Sequence, residues 1–429
     1  MLTTSRIPLG RAHMLASAIL QDAQRARLPF DSLTPLGSLR RFAPDIGDVS
    51  LLGVAAAADH ADVMDAFSRL QPFLRVVSRT PASMTADTER GPVTLHLTTP
   101  EQAGAALVWH TGSVRHTRKL QVLARQHDLT FDAGRLLAAD GHSVFTPNEE
   151  ALYATLGLPF IAPELREGDD EIEMAQRGLL PSLVTEAHIR GDLHMHSTWS
   201  DGRNPIGEMV VAGQQLGYEY VAITDHSERS LASRKLAGGD IPRQRREIEK
   251  VRKRLPGIEV LHGIEVDIMH DGSLDFTDDQ LAGFDIVLAS LHDHGGHDPH
   301  TLTERYLRAI HHPLVNVITH PANRSPARSV GYDVDFDRLF LAAAATGTAM
   351  EIDGAPGHLD MDGTVARRAI ARGVAVTINS DCHRADALAR QMRFGIGTAR
   401  RGWIEPAHVL NTRGIQEIRD FISRKRARR

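Results

Sequence analysis

Seven short apolar runs divide the C-terminal half of the chain at fairly regular intervals. Each run is partly β-branched and is followed by a segment long enough to form an amphipathic helix. Strands that alternate with helices in this way are typical of βαβ units, in which the strands pair in parallel. The pattern therefore predicts seven βα units and a parallel, barrel-like sheet. The runs are 192–196, 220–226, 259–267, 284–292, 315–320, 349–353 and 374–383.

The N-terminal part shows a different pattern. Within the first 30 residues, apolar side chains recur at helical spacing between Met14 and Leu20. Short runs then indicate strands and turns, interrupted by a helix over 61–70, before a mostly helical stretch. The acidic segment 169–173 has the composition of an exposed connection. We therefore predict an N-terminal helix in 1–30, a smaller α+β domain over 31–155, a linker over 156–190 and the barrel domain over 191–429.

Composition limits the class of protein without indicating a function. The chain has 429 residues, 42% hydrophobic and 24% charged, as in ordinary globular proteins. Its apolar runs are all shorter than the roughly 18 residues that a membrane span needs. The net charge of −5 argues against a strongly basic nucleic-acid coat. A single cysteine, Cys382, excludes an internal disulfide. We therefore expect a cytoplasmic protein that does not bind a membrane.

Most of the apolar runs end in, or next to, side chains that bind metal ions. Side chains two residues apart on a strand point to the same face, so His194 and His196 can bind one ion together. The carboxyl ends of parallel barrel strands open on one rim, where catalytic groups gather. Any one of these histidines alone is better explained as a satisfied core or surface residue. Together they favour a metal centre holding Zn, Mn or Fe, the ions that imidazole and carboxylate suit. The nine predicted ligands are His194, His196, Asp201, His226, Glu265, His292, His320, Asp381 and His383.

The same residues resemble the metal motifs of the PHP (polymerase and histidinol phosphatase) family. The motifs are Asp-Leu-His-Met-His at 192–196, Thr-Asp-His-Ser at 224–227, Gly-Ile-Glu at 263–265 and Asp-x-His at 381–383. The resemblance spans about 191–405 and implies a distorted (β/α)7 TIM-like barrel with up to three divalent ions. It assigns His194, His196, Glu265 and Asp381 to one ion, Glu265, His292 and His320 to a second, and Asp201, His226 and His383 to a third.

Other segments are similar to the bacterial X-family DNA polymerases. In the barrel half these segments are 189–192, 349–353 and 395–403. Arg324 falls where that subgroup has an arginine, so the resemblance implies a catalytic role in contacting a phosphate. An ordinary surface arginine is the alternative.

The N-terminal part resembles the nucleotidyltransferase region of the same polymerases, but with losses. Segments 37–41 and 47–50 look like its signature, and the resemblance implies three carboxylates that hold two magnesium ions. Here Asp48 keeps the first position, Ser50 takes the second and Thr94 the third. Because magnesium relies on anionic oxygen ligands, one carboxylate cannot bind two such ions well. We therefore predict a degenerate polymerase site and no polymerisation.

The predicted reaction is hydrolysis of phosphoester bonds by a metal-activated water. The resemblance to X-family polymerases implies a 3′-5′ exonuclease or a DNA end-processing enzyme. A small-molecule phosphatase of the histidinol-phosphate type and a non-catalytic DNA-binding scaffold stay open as alternatives. The expected substrate is accordingly DNA or a phosphorylated small molecule. The basic segment 424–429 either follows a phosphate backbone or is a solvated helix end.

Overall fold

The computed structural model describes residues 6–293, 298–326 and 328–427, and the chain divides into two compact units, 1–180 and 181–429. No helix in these described segments is both long and apolar enough to cross a membrane.

The first unit is an α+β structure with one main sheet. Its strands are β1 (Ile7–Pro8), β2 (Ser32–Pro35), β3 (Asp45–Ile46), β4 (Val49–Val54), β5 (Phe73–Arg79), β6 (Ser83–Thr88), β7 (Gly91–Thr98), β8 (Leu129–Asp132) and β9 (Arg135–Ala138). Its helices are α1 (Leu9–Arg25), α2 (Gly37–Arg40), α3 (His60–Ser68), α4 (Ala103–Thr111), α5 (Val114–Gln126), α6 (Glu149–Thr155) and α7 (Glu171–Gln176). The main sheet has the order β2-β4-β7-β6-β5, in which β4 and β7 run parallel.

Two features of this unit differ from the sequence-based prediction. The sequence predicts a mostly helical stretch over 101–155, but this stretch also contains the hairpin β8–β9 between its helices. Its two-residue turn, Ala133 and Gly134, has positive φ at both positions, but an alanine gives no turn signal in a sequence.

The second difference is a correction to the predicted linker. The segment 156–180 belongs to the first unit, and part of it is packed inside: Ile161 and Arg166 are completely buried. The acidic residues suggested exposure, but Glu171 is buried and accepts a hydrogen bond from His116 Nδ1 at 2.7 Å. Charge that is paired inside a core looks the same in a sequence as charge that is solvated. The boundary between the units therefore lies after Leu180, inside the predicted linker 156–190.

The second unit is a nearly closed parallel barrel, as predicted. Its strands are β10 (Gly191–Asp192), β11 (Tyr220–Ile223), β12 (Glu259–Asp267), β13 (Ile286–Ser290), β14 (Val317–Ile318), β15 (Ala349–Asp353) and β16 (Val376–Asn379). Its helices are α8 (Ile206–Gln215), α9 (Ile241–Arg254), α10 (Asp278–Ala282), α11 (Pro299–His311), α12 (Phe336–Thr346), α13 (Gly363–Ala371), α14 (Leu388–Arg401) and α15 (Ile415–Arg426). The seven strands pair in parallel in chain order.

Residues beyond the first and last strands close the ring. A parallel bridge joins Met195 to Cys382. Lower down, the side chain of Asn411 donates to the carbonyl oxygens of Gly191 at 2.9 Å and Ile378 at 2.5 Å. These contacts satisfy backbone groups that an open edge would leave unpaired.

The interior of the barrel changes from apolar to polar along each strand. Side chains that include Tyr220, Leu261 and Ile286 fill one end, together with Ile418 from α15. Two and four residues after Leu261 on the same face come Gly263 and Glu265. A Cβ at Gly263 would lie 2.6 Å from the side chain of Thr224, so the space beneath Glu265 is full. Polar groups therefore gather at the carboxyl ends of the strands.

Two residues in the basic end of α15, Lys425 and Arg426, fit neither of the two predicted roles. Lys425 is buried, and its Nζ donates to Ile310 O and Thr348 Oγ1, both at 2.7 Å. Arg426 donates to Phe284 O at 2.7 Å. These partners precede strands β13, β14 and β15, so this end of the helix lies opposite the polar rim. Residues 428 and 429 lie outside the described segments.

Candidate metal centre

The structure brings all nine predicted ligands together at the carboxyl ends of the strands. Ligand atoms of His196, Asp201, His226 and His383 lie within 4.8 Å of one another, as do those of the two smaller groups below. Two ligand atoms bound to one ion at about 2.1–2.2 Å lie at most roughly 4.4 Å apart. Small shifts would therefore let each group hold an ion. The smaller groups are His194 with His196 and Asp381, and His226 with Glu265 and His292.

Glu265 lies at the middle of this arrangement and is completely buried. Its two carboxylate oxygens have five imidazole nitrogens within 2.8–3.6 Å. Both oxygens of this carboxylate are therefore placed where they could bind a cation together with neighbouring imidazoles. The five histidines are His194, His196, His226, His292 and His320.

The predicted division into three groups differs in detail from the observed one. His196 is near Asp381, at 3.0 Å, but also joins the group of Asp201, His226 and His383. His320 reaches Glu265 Oε1 at 2.9 Å, as the second predicted group requires.

Further carboxylates orient the histidines. Glu351 Oε1 lies 2.8 Å from His194 Nδ1, and Asp267 Oδ1 lies 3.0 Å from His292 Nδ1. In each case the hydrogen bond fixes the ring and leaves Nε2 directed at the centre, an arrangement typical of histidines that bind metals. Neither carboxylate was predicted from the sequence.

Hydrogen bonds to the buried side chain of Asp225 hold the loop that carries Asp201. The buried carboxylate of Asp225 accepts hydrogen bonds from the backbone and hydroxyl groups of Ser197 and Ser200, at 2.6–3.1 Å. The following Gly202 has no room for a side chain, since a Cβ would lie 2.6 Å from His196 O. Asp201 is thus fixed over the rim by its own loop.

Backbone strain also marks the site. His320 has φ +26° and Asp381 has φ +47°, both rare values for residues other than glycine. Such residues cost about 1–3 kcal/mol each and occur mainly where function requires them.

Neighbouring charges shift the pKa values of side chains in the centre. Burial alone would lower the pKa of His383, but Asp381 and Asp201 raise it to about 9. The pKa of His194 also lies well above its usual value despite burial, because buried carboxylates surround the ring. The pKa of Glu265 lies well below its usual value, because neighbouring imidazoles outweigh its burial. A divalent cation can take the place of the protons that these imidazoles hold.

Unpaired polar atoms show that the residues fit such ions. Within the described segments, buried atoms without a hydrogen-bond partner include His196 Nδ1, His226 Nδ1, His320 Nδ1, Asp201 Oδ1 and Glu265 Oε2. His226 Nδ1 and Glu265 Oε2 lie 2.8 Å apart without the alignment of a hydrogen bond. Because a buried polar atom without a partner costs free energy, this group of atoms indicates a bound cation.

Sequence reasoning missed two more residues beside the centre, Asp353 and His358. They form a third small group with Asp381. Asp353 ends one of the seven runs, so the rule that found the other ligands could have found it. His358 lies in the loop that follows, where no periodic signal exists.

Arg324 lies in the loop after β14, at the same rim. Its side chain is 14% exposed and its Nη1 forms an ion pair with Asp362 at 2.9 Å. Other histidines of this unit have partners outside the centre: His262 contacts Gln244 at 2.8 Å, and His312 contacts Asp278 at 3.1 Å. His294 and His297 lie outside the described segments.

The predicted degenerate polymerase site is in the first unit. Ser50 on β4 pairs directly with Thr94 on β7. The hydroxyl of Ser50 donates to Asp48, and Thr94 shares a hydrogen bond of 3.0 Å with Thr85. Asp48 is the one carboxylate among the three positions, and it already accepts a hydrogen bond from the hydroxyl of Ser50.

Comparison with known proteins finds a family match in each of the two units. The family description "PHP domain" matches residues 192–322, and "DNA polymerase beta thumb" matches residues 106–167. The chain is 34% identical over 424 residues, 98% of its length and 73% of the relative, to "DNA polymerase/3'-5' exonuclease PolX" of Bacillus subtilis. It is also 27% identical to a "Probable phosphatase" of Syntrophotalea carbinolica, over 54% of this chain and 95% of that protein. A "Probable phosphatase" of Shewanella oneidensis is 30% identical, over 48% of this chain and 77% of that protein.

The barrel and its ring of imidazoles and carboxylates define a metal-dependent phosphoesterase of the PHP class. Along the chain, the match to a polymerase thumb comes before the match to the PHP domain. The chain belongs to the PolX family of bacterial X-family DNA polymerases.

Proposed function

We propose that this enzyme hydrolyses phosphodiester bonds at the 3′ ends of DNA and has lost polymerase activity. The observation that favours DNA is the charge of the loops around the metal centre. Arg203 follows β10, and Arg229, Arg234 and Lys235 follow β11, all exposed at the rim. Arg234 also donates to Gly202 O at 2.9 Å, next to Asp201. A row of cations at a hydrolytic site suits a phosphate backbone better than a small monoester.

The nine residues have separate roles in the proposed mechanism. Bound divalent ions would lower the pKa of a water molecule and stabilise the charge that develops on the phosphate oxygens. Glu265 is the proposed bridging ligand, and Asp201 and Asp381 are the acidic ligands on either side. Glu351 and Asp267 keep the rings of His194 and His292 in position, so that little reorganisation is needed during the reaction.

Arg324 is the proposed catalytic arginine outside the metal ligands. Its ion pair with Asp362 holds the guanidinium near the rim with one Nη engaged. The remaining N–H donors can contact a phosphate oxygen, since guanidinium matches phosphate geometry in a bidentate manner.

Loss of polymerisation rests on Asp48, Ser50 and Thr94. Neither hydroxyl side chain supplies the anionic oxygen that magnesium needs, and Ser50 occupies part of the coordination capacity of Asp48. The first unit would then serve to bind or position DNA, as its similarity to a polymerase thumb suggests. We also propose a cytoplasmic location, because a chain with a single cysteine fits a reducing compartment.

A small-molecule phosphatase is the second candidate, favoured by the similarity of the barrel alone to the two phosphatases. An activity panel distinguishes the candidates: a 3′-hydroxyl DNA oligomer, the same oligomer with a 3′-phosphate, histidinol phosphate and p-nitrophenyl phosphate. Nucleotide release from the oligomer should exceed the other rates. The variant Lys235→Gln, which leaves the bond between Arg234 and Gly202 in place, should raise KM for DNA and leave p-nitrophenyl phosphate hydrolysis unchanged. Hydrolysis of small monoesters without release of nucleotides would contradict the proposal.

A further inference from the structure

A further group of potential ligands lies next to the nine-residue centre, at the end of β15. Asp353, His358 and Asp381 each bring one ligand atom to within 4.8 Å of the other two. This separation is close to the roughly 4.4 Å that two atoms on one ion can span. Asp381 belongs to both groups, so the new group is continuous with the main centre.

Two of these residues have buried polar atoms without a hydrogen-bond partner among the residues that the structure describes. Asp353 is completely buried: its Oδ1 accepts a hydrogen bond from the backbone of Ala355 at 2.6 Å, and its Oδ2 has no hydrogen-bond partner in the described segments. His358 Nδ1 is also a buried atom that lacks a partner there. Two carboxylates that approach one another inside a protein need a compensating proton or cation. A cation would, in addition, bind the unpaired atoms of both Asp353 and His358.

The loop that presents these residues is firmly built. Asp353 N donates to Asp360 O at 2.6 Å, and His358 N donates to Ala355 O at 2.9 Å. A Cβ on Gly354 would lie 2.0 Å from Gln391 O, so this turn packs directly against α14. The ring of His358 stacks on His320, with centroids 5.0 Å apart. The group is therefore positioned by the fold and does not depend on a flexible segment.

We propose that Asp353, His358 and Asp381 form an additional divalent-cation site that shares Asp381 with the nine-residue centre. Two carboxylate oxygens and one imidazole nitrogen suit Mn²⁺, Fe²⁺ or Zn²⁺. Three protein ligands leave coordination positions open for water or for a phosphate oxygen of the substrate. The inference rests on the proposed role of Asp381 as a metal ligand.

Counting bound Mn²⁺ tests the site without reference to activity. Full-length protein is freed of ions with a chelator, dialysed against saturating Mn²⁺ and analysed for metal per chain. Asp353→Asn keeps the side-chain shape and the bond to Ala355 but removes the charge. His358→Phe keeps the stacked ring but removes the nitrogen donors. Asp360→Asn is the matched control, because this buried carboxylate in the same loop bonds to Ala322 N at 2.8 Å and lies outside the group.

The expected result is one Mn²⁺ fewer per chain in Asp353→Asn and in His358→Phe, with Asp360→Asn equal to the wild type. An unchanged count in folded Asp353→Asn overturns the additional site but leaves the proposed function intact. Loss of every ion from folded Asp353→Asn also overturns it, since Asp353 would then serve the whole centre. A wild-type chain that binds no Mn²⁺ contradicts both proposals.

Discussion

Replacing Glu149 with glutamine should strongly destabilise the first unit. The side chain of Glu149 is 6% exposed and forms ion pairs with Arg40 and Arg166, both at 2.7 Å. Burial alone would raise the pKa of Glu149, but the two guanidinium groups hold it below its usual value. Arg166 is completely buried, and its other donors are bound to Ile161 O. Glu149→Gln therefore leaves two cations, one without access to water, around a neutral amide.

Removing one partner from a buried ion pair costs about 3–5 kcal/mol. Glutamine can still accept one hydrogen bond, so a loss of about 3 kcal/mol, at the lower end of this range, is expected. In a unit of this size, each kcal/mol shifts the melting temperature by roughly 2–4 °C. The first unit should therefore melt at least roughly 6 °C lower. Glu150→Gln is the matched control, because Glu150 is the next residue of the same helix and is exposed.

Tryptophan fluorescence can follow the first unit by itself. Trp109 is the one tryptophan in residues 1–180, so its emission reports this unit in a Trp199→Phe/Trp403→Phe background. Melting of Glu149→Gln within about 2 °C of Glu150→Gln would refute the reasoning. It would also argue against assigning the segment that carries Arg166 to the core of the first unit.

Three other perturbations test the site and the first unit. Primer extension with Mg²⁺ or Mn²⁺ should add no nucleotide, and extension that Asp48→Ala abolishes would contradict the proposed loss of polymerisation. Glu265→Gln should abolish hydrolysis because an amide is a weak, neutral ligand, whereas Glu259→Gln, at the exposed start of the same strand, should not; near-wild-type turnover in folded Glu265→Gln would exclude a bridging role. Burial, and then His96, lower the pKa of His110 from 6.5 to about 3. On acidification the unfolded chain takes up this proton before the folded one, so His110 alone contributes a loss of about 2 kcal/mol in unfolding free energy between pH 7 and pH 5. His110→Gln should reduce this loss, and an identical pH dependence of the unfolding free energy would count against it.

The barrel could be predicted because its signals are local. Short, partly β-branched apolar runs mark the strands, and the carboxyl ends of parallel strands meet on one rim. Residues such as His194 and His320 could therefore be placed together from the sequence alone. What could not be predicted depends on contacts between distant segments. Glu351 reaches His194 across 157 positions of the chain. Asp353 also stands at the end of its strand, so the same strand-end pattern marks it as a potential ligand.

The first unit shows the limit of reading charge as exposure. Glu171 and Arg166 indicate a solvated linker only when their partners are unknown, and those partners, His116 and Glu149, lie 55 and 17 positions away. The basic end of α15 shows the same limit, since Lys425 is buried against backbone and hydroxyl oxygens.

The most direct test of the metal centre is the effect of removing its ions from the full chain. Chelator-treated protein, with its metal content measured, is assayed on a 3′-ended DNA oligomer and melted before and after Mn²⁺ is returned. Ions that bind the folded site and not the unfolded chain stabilise the fold, so both the rate and the melting temperature of the second unit should fall when they are removed. Both should recover with Mn²⁺. If the metal-free chain keeps its hydrolytic rate and its melting temperature, the histidines are not ligands and the account is contradicted.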